Sequence, residues 1–156
     1  MNATLTSLLP ANETERLETL RQYDILHSLQ EAVFNEFVGL TARIFNLPIS
    51  LITLVDSEEV EYKANEGLPG LRSQPRAEVL CALVVRDHKA IVINDMDTEN
   101  GLAVEAILVA QDQNLRFYAG APLVMLDHFS VGTLCVIDRR PRTFSAAEQQ
   151  VLEHLA

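Results

Sequence analysis

Apolar residues recur along this chain in two rhythms, and each change of rhythm marks an element boundary. Leu17, Leu20 and Tyr23 fall at helical steps behind Asn12 and Glu15, which have the spacing of a capping box. A second box, Ser28 with Glu31, opens a longer helix in which Val33, Phe34, Phe37, Val38, Thr41, Ile44 and Phe45 recur every three or four residues. Asn46 and Pro48 end it. The run ISLITLVD at 49–56 is nearly unbroken in apolar and β-branched residues, the pattern of a strand covered on both faces. Val60, Tyr62 and Ala64 then alternate with Glu61, Lys63 and Asn65. This predicts a half-exposed strand, antiparallel to the first across residues 57–59.

Residues 66–76 hold two Gly and two Pro and read as a loop. Residues 77–85 predict one or two helical turns, 90–93 a short strand, and 102–111 a helix begun by the acidic stretch 95–100. Glu105 is the only charge in that helix, so most of its circumference must be covered. Residues 115–124 and 130–138 predict a hairpin, with a turn at 125–129 where Asp127 and His128 tolerate reversal. In its second strand Val131, Thr133, Cys135 and Ile137 share one face, and Gly132 and Leu134 the other; Pro141 closes the strand. Ser145 with Glu148 is a third capping box, opening a helix that carries Val151, Leu152 and Leu155. That helix reaches Ala156 with no stop signal, which points to a fragment of something longer or a continuation into a partner domain. The fold class is α+β: one antiparallel sheet with helices on both faces.

Composition narrows the function classes. At 156 residues the chain is one domain's worth, and 48% hydrophobic residues suffice for a core. A net charge of -10 argues against nucleic acid and against an anionic membrane surface as partners. The apolar runs are strand-length, and the first residues lack the basic start and apolar centre of a secretory signal. The expected location is the cytoplasm, with both cysteines reduced.

Candidate chemistry is sparse. Cys81 and Cys135 sit among apolar neighbours and read as buried structural thiols rather than reactive ones. His27, His88, His128 and His154 are isolated, with no pair at ligand spacing. Asp95, Asp97 and Glu99 read as helix-start charges rather than a cation site. Tyr62, Arg116 and Tyr118 are the strongest polar handles on strands. They either orient a ligand in an apolar pocket, or pack as core edges with Arg116 paired to a surface carboxylate.

Several stretches match a known family: ETERLETLRQYDIL at 13–26, FNLPISLITLVD at 45–56, the segment around Cys81, LRFYAGAPL at 115–123 and VGTLCVIDRRPRTFSAAEQQVLEHLA at 131–156. On these the chain resembles the GAF domain family, sensory modules N-terminal to bacterial histidine kinases, diguanylate cyclases and related outputs. The resemblance implies a GAF-like central antiparallel six-stranded sheet. The first two helices and the last would lie on one face, and a ligand pocket on the other beneath shorter helices. It implies a flexible leader at 1–12 and a single domain at 13–156. Two stretches depart from the family: Leu80 stands where an aromatic usually precedes the cysteine, and DMDTENGLAVEA where an acidic-x-Arg-Phe stretch is common. No haem, bilin or metal signature is found, so the cofactor is unknown.

The function implied is a non-enzymatic signalling module. It would bind a small ligand near Tyr62, Cys81, Arg116 and Tyr118, between the sheet and residues 77–111. It would form a homodimer through the terminal helices, using Leu17, Leu20, Leu152 and Leu155, with a linked kinase or cyclase if the chain is a fragment. The alternatives are a dimerisation scaffold with an occluded pocket, and an enzyme like the free methionine sulfoxide reductases. Those enzymes relay disulfides through several cysteines, and this chain has two.

Overall fold

The computed structural model describes residues 10–22, 31–68, 73–76, 80–96, 114–125 and 129–156. Two helices open it, α1 (Glu13–Gln22) and α2 (Glu31–Phe45), the second ended by Asn46 in the left-handed region at φ 54. Strand β1 (Ile49–Val55) is buried at every position. β2 (Glu59–Glu66) and β3 (Ser73–Pro75) follow, then α3 (Cys81–Asp87), β4 (Ile91–Ile93), β5 (Phe117–Met125), β6 (Phe129–Asp138) and α4 (Ala146–Leu155). The sheet has six strands in the order β3-β2-β1-β6-β5-β4, and every neighbouring pair is antiparallel.

Burial on both sides of β1 comes from two different layers. Leu51, Val60, Tyr118, Cys135 and Ile137 face α3. Ile52, Ala64, Phe117, Leu134 and Val136 face the other way and pack with Val38 and Phe45 of α2 and Leu152 of α4. Leu20 of α1 joins that side against Leu54 and Val131. Among the described residues three helices therefore cover one face and α3 the other, with the first two and the last together as the family resemblance implied. α4 starts from the expected capping box, the Ser145 hydroxyl accepting from the Glu148 amide and the Glu148 carboxylate from the Ser145 amide. Phe144 just before it packs its ring on Phe45 and Phe117, at 5.3 and 5.5 Å between centroids.

Three expectations are corrected. Residues 66–76 are not all loop, because Ser73–Pro75 forms an edge strand on β2. Pro75 fits there, since an edge strand need not donate on both sides. In β2, a register shift sets Ala64 opposite Ile52 and Tyr62 opposite Thr53, so Lys63 between them forms a bulge. Val60 and Tyr62 thus face α3 while Ala64 faces α2, although strict alternation would put all three together. In β6 a second shift takes Val131 off the face of Thr133, Cys135 and Ile137 and turns it toward α1. Residues 1–9, the Ser28 cap and the helix expected at 102–111 lie outside the described residues.

One feature of α1 ran against its apolar reading: Arg16 is buried beside Leu20. Glu13 explains it. Its carboxylate accepts from Arg16 at 2.9 Å and from Arg76, the residue after β3, at 2.5 Å. Arg16 also donates to the Ser130 carbonyl, and Arg76 to the Asp56 carbonyl. A single carboxylate thus bridges two buried guanidiniums drawn from opposite ends of the molecule's first half. Burial alone would raise the Glu13 pKa, but the two cations outweigh it and hold the carboxyl below its usual range.

Candidate functional site

The face beneath α3 carries hydroxyls and thiols on an otherwise apolar surface. Thr53 of β1 and Thr133 of β6 are direct register partners, and their buried hydroxyls bond to each other at 2.7 Å. Cys135 lies two residues along β6 on the same face, opposite Leu51 on one side and Gly120 on the other. Tyr118 reaches back over Gly120, and its hydroxyl donates to the Cys81 sulfur at 3.4 Å. Gly120 is required by this fold-back, because a Cβ there would lie 2.3 Å from the Tyr118 oxygen. Tyr62, half-buried on β2, packs against the same cluster and donates its hydroxyl to the Gln74 side chain on β3.

Three of the four expected site residues, Tyr62, Cys81 and Tyr118, thus converge beneath α3. Arg116 stands apart. It precedes β5 and forms a two-pronged pair with Asp95 at 3.0 and 3.2 Å, with its side chain about one-third exposed at 34%. Its amide also donates to Asp138, and its carbonyl accepts from Met96. In this position Arg116 ties the residues after β4 to the end of β6.

The electrostatics of the cluster follow from its dryness. Burial, then the nearby Cys81 and Cys135, pushes the Tyr62 and Tyr118 phenols up, so both stay protonated donors. Hydrogen bonding from Cys135, against the opposing effect of burial, draws the Cys81 thiol down, with help from Thr133, Tyr118 and Thr53. The same bond to Cys81, reinforced by burial, pushes Cys135 up. Sequence reasoning missed Thr53, Thr133 and Gln74. A polar residue at matching places in two buried strands, ISLITLVD and VGTLCVID, was the available clue.

The helical face holds a separate hollow of about 420 Å³ between α2 and the sheet, lined by Phe34, Phe37, Ile52, Leu123 and Lys63 among others. Beside it α2 exposes Val33, Leu40 and Ile44, at 61%, 55% and 57%. Leu20 and Leu152, expected at a dimer interface, are instead fully buried within the chain.

Comparison with known proteins bears on this arrangement. The profile of the GAF domain family matches residues 30–156. A cyclic di-GMP phosphodiesterase of Pseudomonas aeruginosa is 30% identical over 148 residues, which is 94% of this chain and 25% of that protein. The chain therefore spans about a quarter of the curated relative it matches. Among solved structures, the GAF domain of an Acinetobacter phosphoenolpyruvate-protein phosphotransferase has TM-score 0.63 and 20% identity, covering 90% of this chain and 92% of that one. A free methionine-R-sulfoxide reductase of Neisseria meningitidis, solved with its substrate, has TM-score 0.66 and 14% identity, covering 99% and 87%. At these identities the two structures share the fold and nothing finer.

Proposed function

The chain belongs to the GAF domain family, and from that premise we propose that it is a non-enzymatic sensor module regulating a linked signalling output. Its ligand face is the one beneath α3, where Tyr62, Cys81 and Tyr118 converge. The observation that carries this reading is a set of buried hydroxyls and thiols on the sheet face opposite the three-helix layer. An apolar pocket with a few fixed polar groups is the usual form of a small-molecule site. Arg116 supplies a cation at the rim for an anionic ligand that displaces Asp95. The likeness to a cyclic di-GMP phosphodiesterase over 94% of this chain supports an output in cyclic-dinucleotide turnover. It also supports a bacterial, cytoplasmic setting. No helix among the described residues is long and apolar enough to cross a membrane.

The module pairs with a second copy through α2. Val33, Phe37, Leu40 and Ile44 follow one another at steps of four, three and four residues, the spacing of a coiled-coil seam. Three of the four are more than half exposed. The test of the ligand site is a thermal-shift screen against nucleotides, amino acids and aromatic metabolites, repeated on Tyr118→Ala and Tyr62→Ala. A hit that neither substitution weakens would place the site elsewhere.

One observation favours a second reading, a dimerisation scaffold with a filled pocket. Tyr118 and Cys81 are each only 2% exposed and bond to one another, so side chains already occupy the centre of the face. Absence of any hit, together with intact self-association, would select that reading.

A further inference from the structure

The chain's two cysteines, far apart in sequence, lie in one buried cluster between α3 and the sheet. Cys135 is at the middle of β6, directly across from Gly120, and the Tyr118 hydroxyl lies over that glycine. The same hydroxyl touches the Cys81 sulfur at 3.4 Å, so the first residue of α3 delivers its thiol to the strand beside Cys135. Both thiols are buried in the same core cluster as Tyr118, between α3 and the sheet.

We propose that Cys81 and Cys135 are an oxidisable dithiol that closes to a disulfide in the presence of a hydroperoxide, tying α3 to the centre of the sheet. The environment assigns the two roles. Cys81, whose sulfur accepts from the Tyr118 hydroxyl at 3.4 Å and whose thiol is drawn below its usual range, is the attacking sulfur. Its thiolate takes the terminal oxygen of the hydroperoxide. The O–O bond breaks and the alkoxide leaves with a proton as the alcohol, giving a sulfenic acid on Cys81. Cys135 then gives up its proton and attacks that sulfur. The S–O bond breaks, water leaves, and the S–S bond forms. In sum two thiols lose two electrons and two protons, and one hydroperoxide becomes an alcohol and water. Both sulfurs are screened by protein, so the reaction calls for an oxidant small and neutral enough to enter the core, which excludes a bulky disulfide such as glutathione disulfide. The chemistry needs no ligand on this face, so it stands or falls separately from the sensor reading.

The test treats reduced wild-type protein with hydrogen peroxide at neutral pH, then alkylates it with N-ethylmaleimide in denaturant and weighs it. The expected product has lost two hydrogens and takes up no maleimide, while the reduced protein takes up two. Peptide mapping should join the segments holding Cys81 and Cys135, and dithiothreitol should restore both thiols. In Cys135→Ser the oxidation should stop at a sulfenic acid on Cys81, trapped as a dimedone adduct. Thiols still fully alkylated after peroxide, a disulfide joining two chains, or added oxygen in place of the cross-link would each overturn the pair. A dimedone adduct absent from Cys135→Ser and found on Cys135 of Cys81→Ser would overturn the assignment of roles.

Discussion

At Gly132 the two central strands come too close for any side chain. A Cβ there would sit 1.8 Å from the Thr53 carbonyl oxygen, which is part of the backbone and cannot swing aside. Gly132→Ala should therefore separate β1 from β6 where Thr53 and Thr133 bond, at a cost of about 3 kcal/mol by denaturant unfolding. The same substitution at Gly39, which has open space around it, should cost nothing or stabilise α2 slightly. Glu13 gives a second prediction. Its folded pKa is depressed, so its contribution is complete above the unfolded carboxylate value of about 4.3 and disappears as pH falls through the folded value. Glu13→Gln leaves Arg16 and Arg76 buried without their counter-charge and should lose roughly 3 kcal/mol at neutral pH. Acid titration followed by circular dichroism should show that difference shrinking below about pH 4. Neither residue was legible in the sequence as critical. Gly132 looked like any outward glycine of an alternating strand, and Arg16 like a solvated charge, because their partners lie across the chain at Thr53 and Ser130.

Periodicity located the elements well and the faces less well. All the described helices and all but one of the strands fall where spacing and caps put them; β3 escaped because Pro75 and its neighbours read as a loop. α2 shows the limit of a helical period. Val33, Phe34, Phe37, Val38, Thr41, Ile44 and Phe45 form one broad apolar band, yet Val38, Thr41 and Phe45 are buried while Val33 and Ile44 are exposed. Spacing reports that a band exists, not how it is shared between the protein's own sheet and a partner. The division yields a prediction. Leu40→Glu with Ile44→Glu should abolish a dimer seen by sedimentation at micromolar concentration, while changing monomer stability by only about 0.5 kcal/mol. Leu152→Glu, placing a charge at a fully buried position, should unfold the protein instead. A double variant that unfolds as readily as Leu152→Glu would show that the stripe serves the fold and not an interface. The β2 and β6 shifts show the same for strands, since one inserted residue reverses every face assignment beyond it.

For the whole molecule, the six-stranded antiparallel sheet and the gathering of the first two helices and the last on one face were implied by family resemblance rather than by spacing. Pairing β1 with β6 joins residues some eighty positions apart, and no local pattern encodes that. The candidate site was legible as residue types, Tyr62, Cys81 and Tyr118, but the burial of Cys81 and Cys135 in one cluster was not. The Glu13 bridge carries a consequence at this scale. It joins α1, in the three-helix layer, to Arg76 at the end of the edge strand β3. Any ligand that draws Arg76 away removes one of the two cations holding Glu13 ionised, so its pKa must rise and the complex must take up a proton. Binding and protonation are then linked. In calorimetry between about pH 4 and 5, where carboxylates titrate, the apparent binding enthalpy should change with the ionisation heat of the buffer. At neutral pH it should not, and in Glu13→Gln the buffer dependence should vanish at every pH.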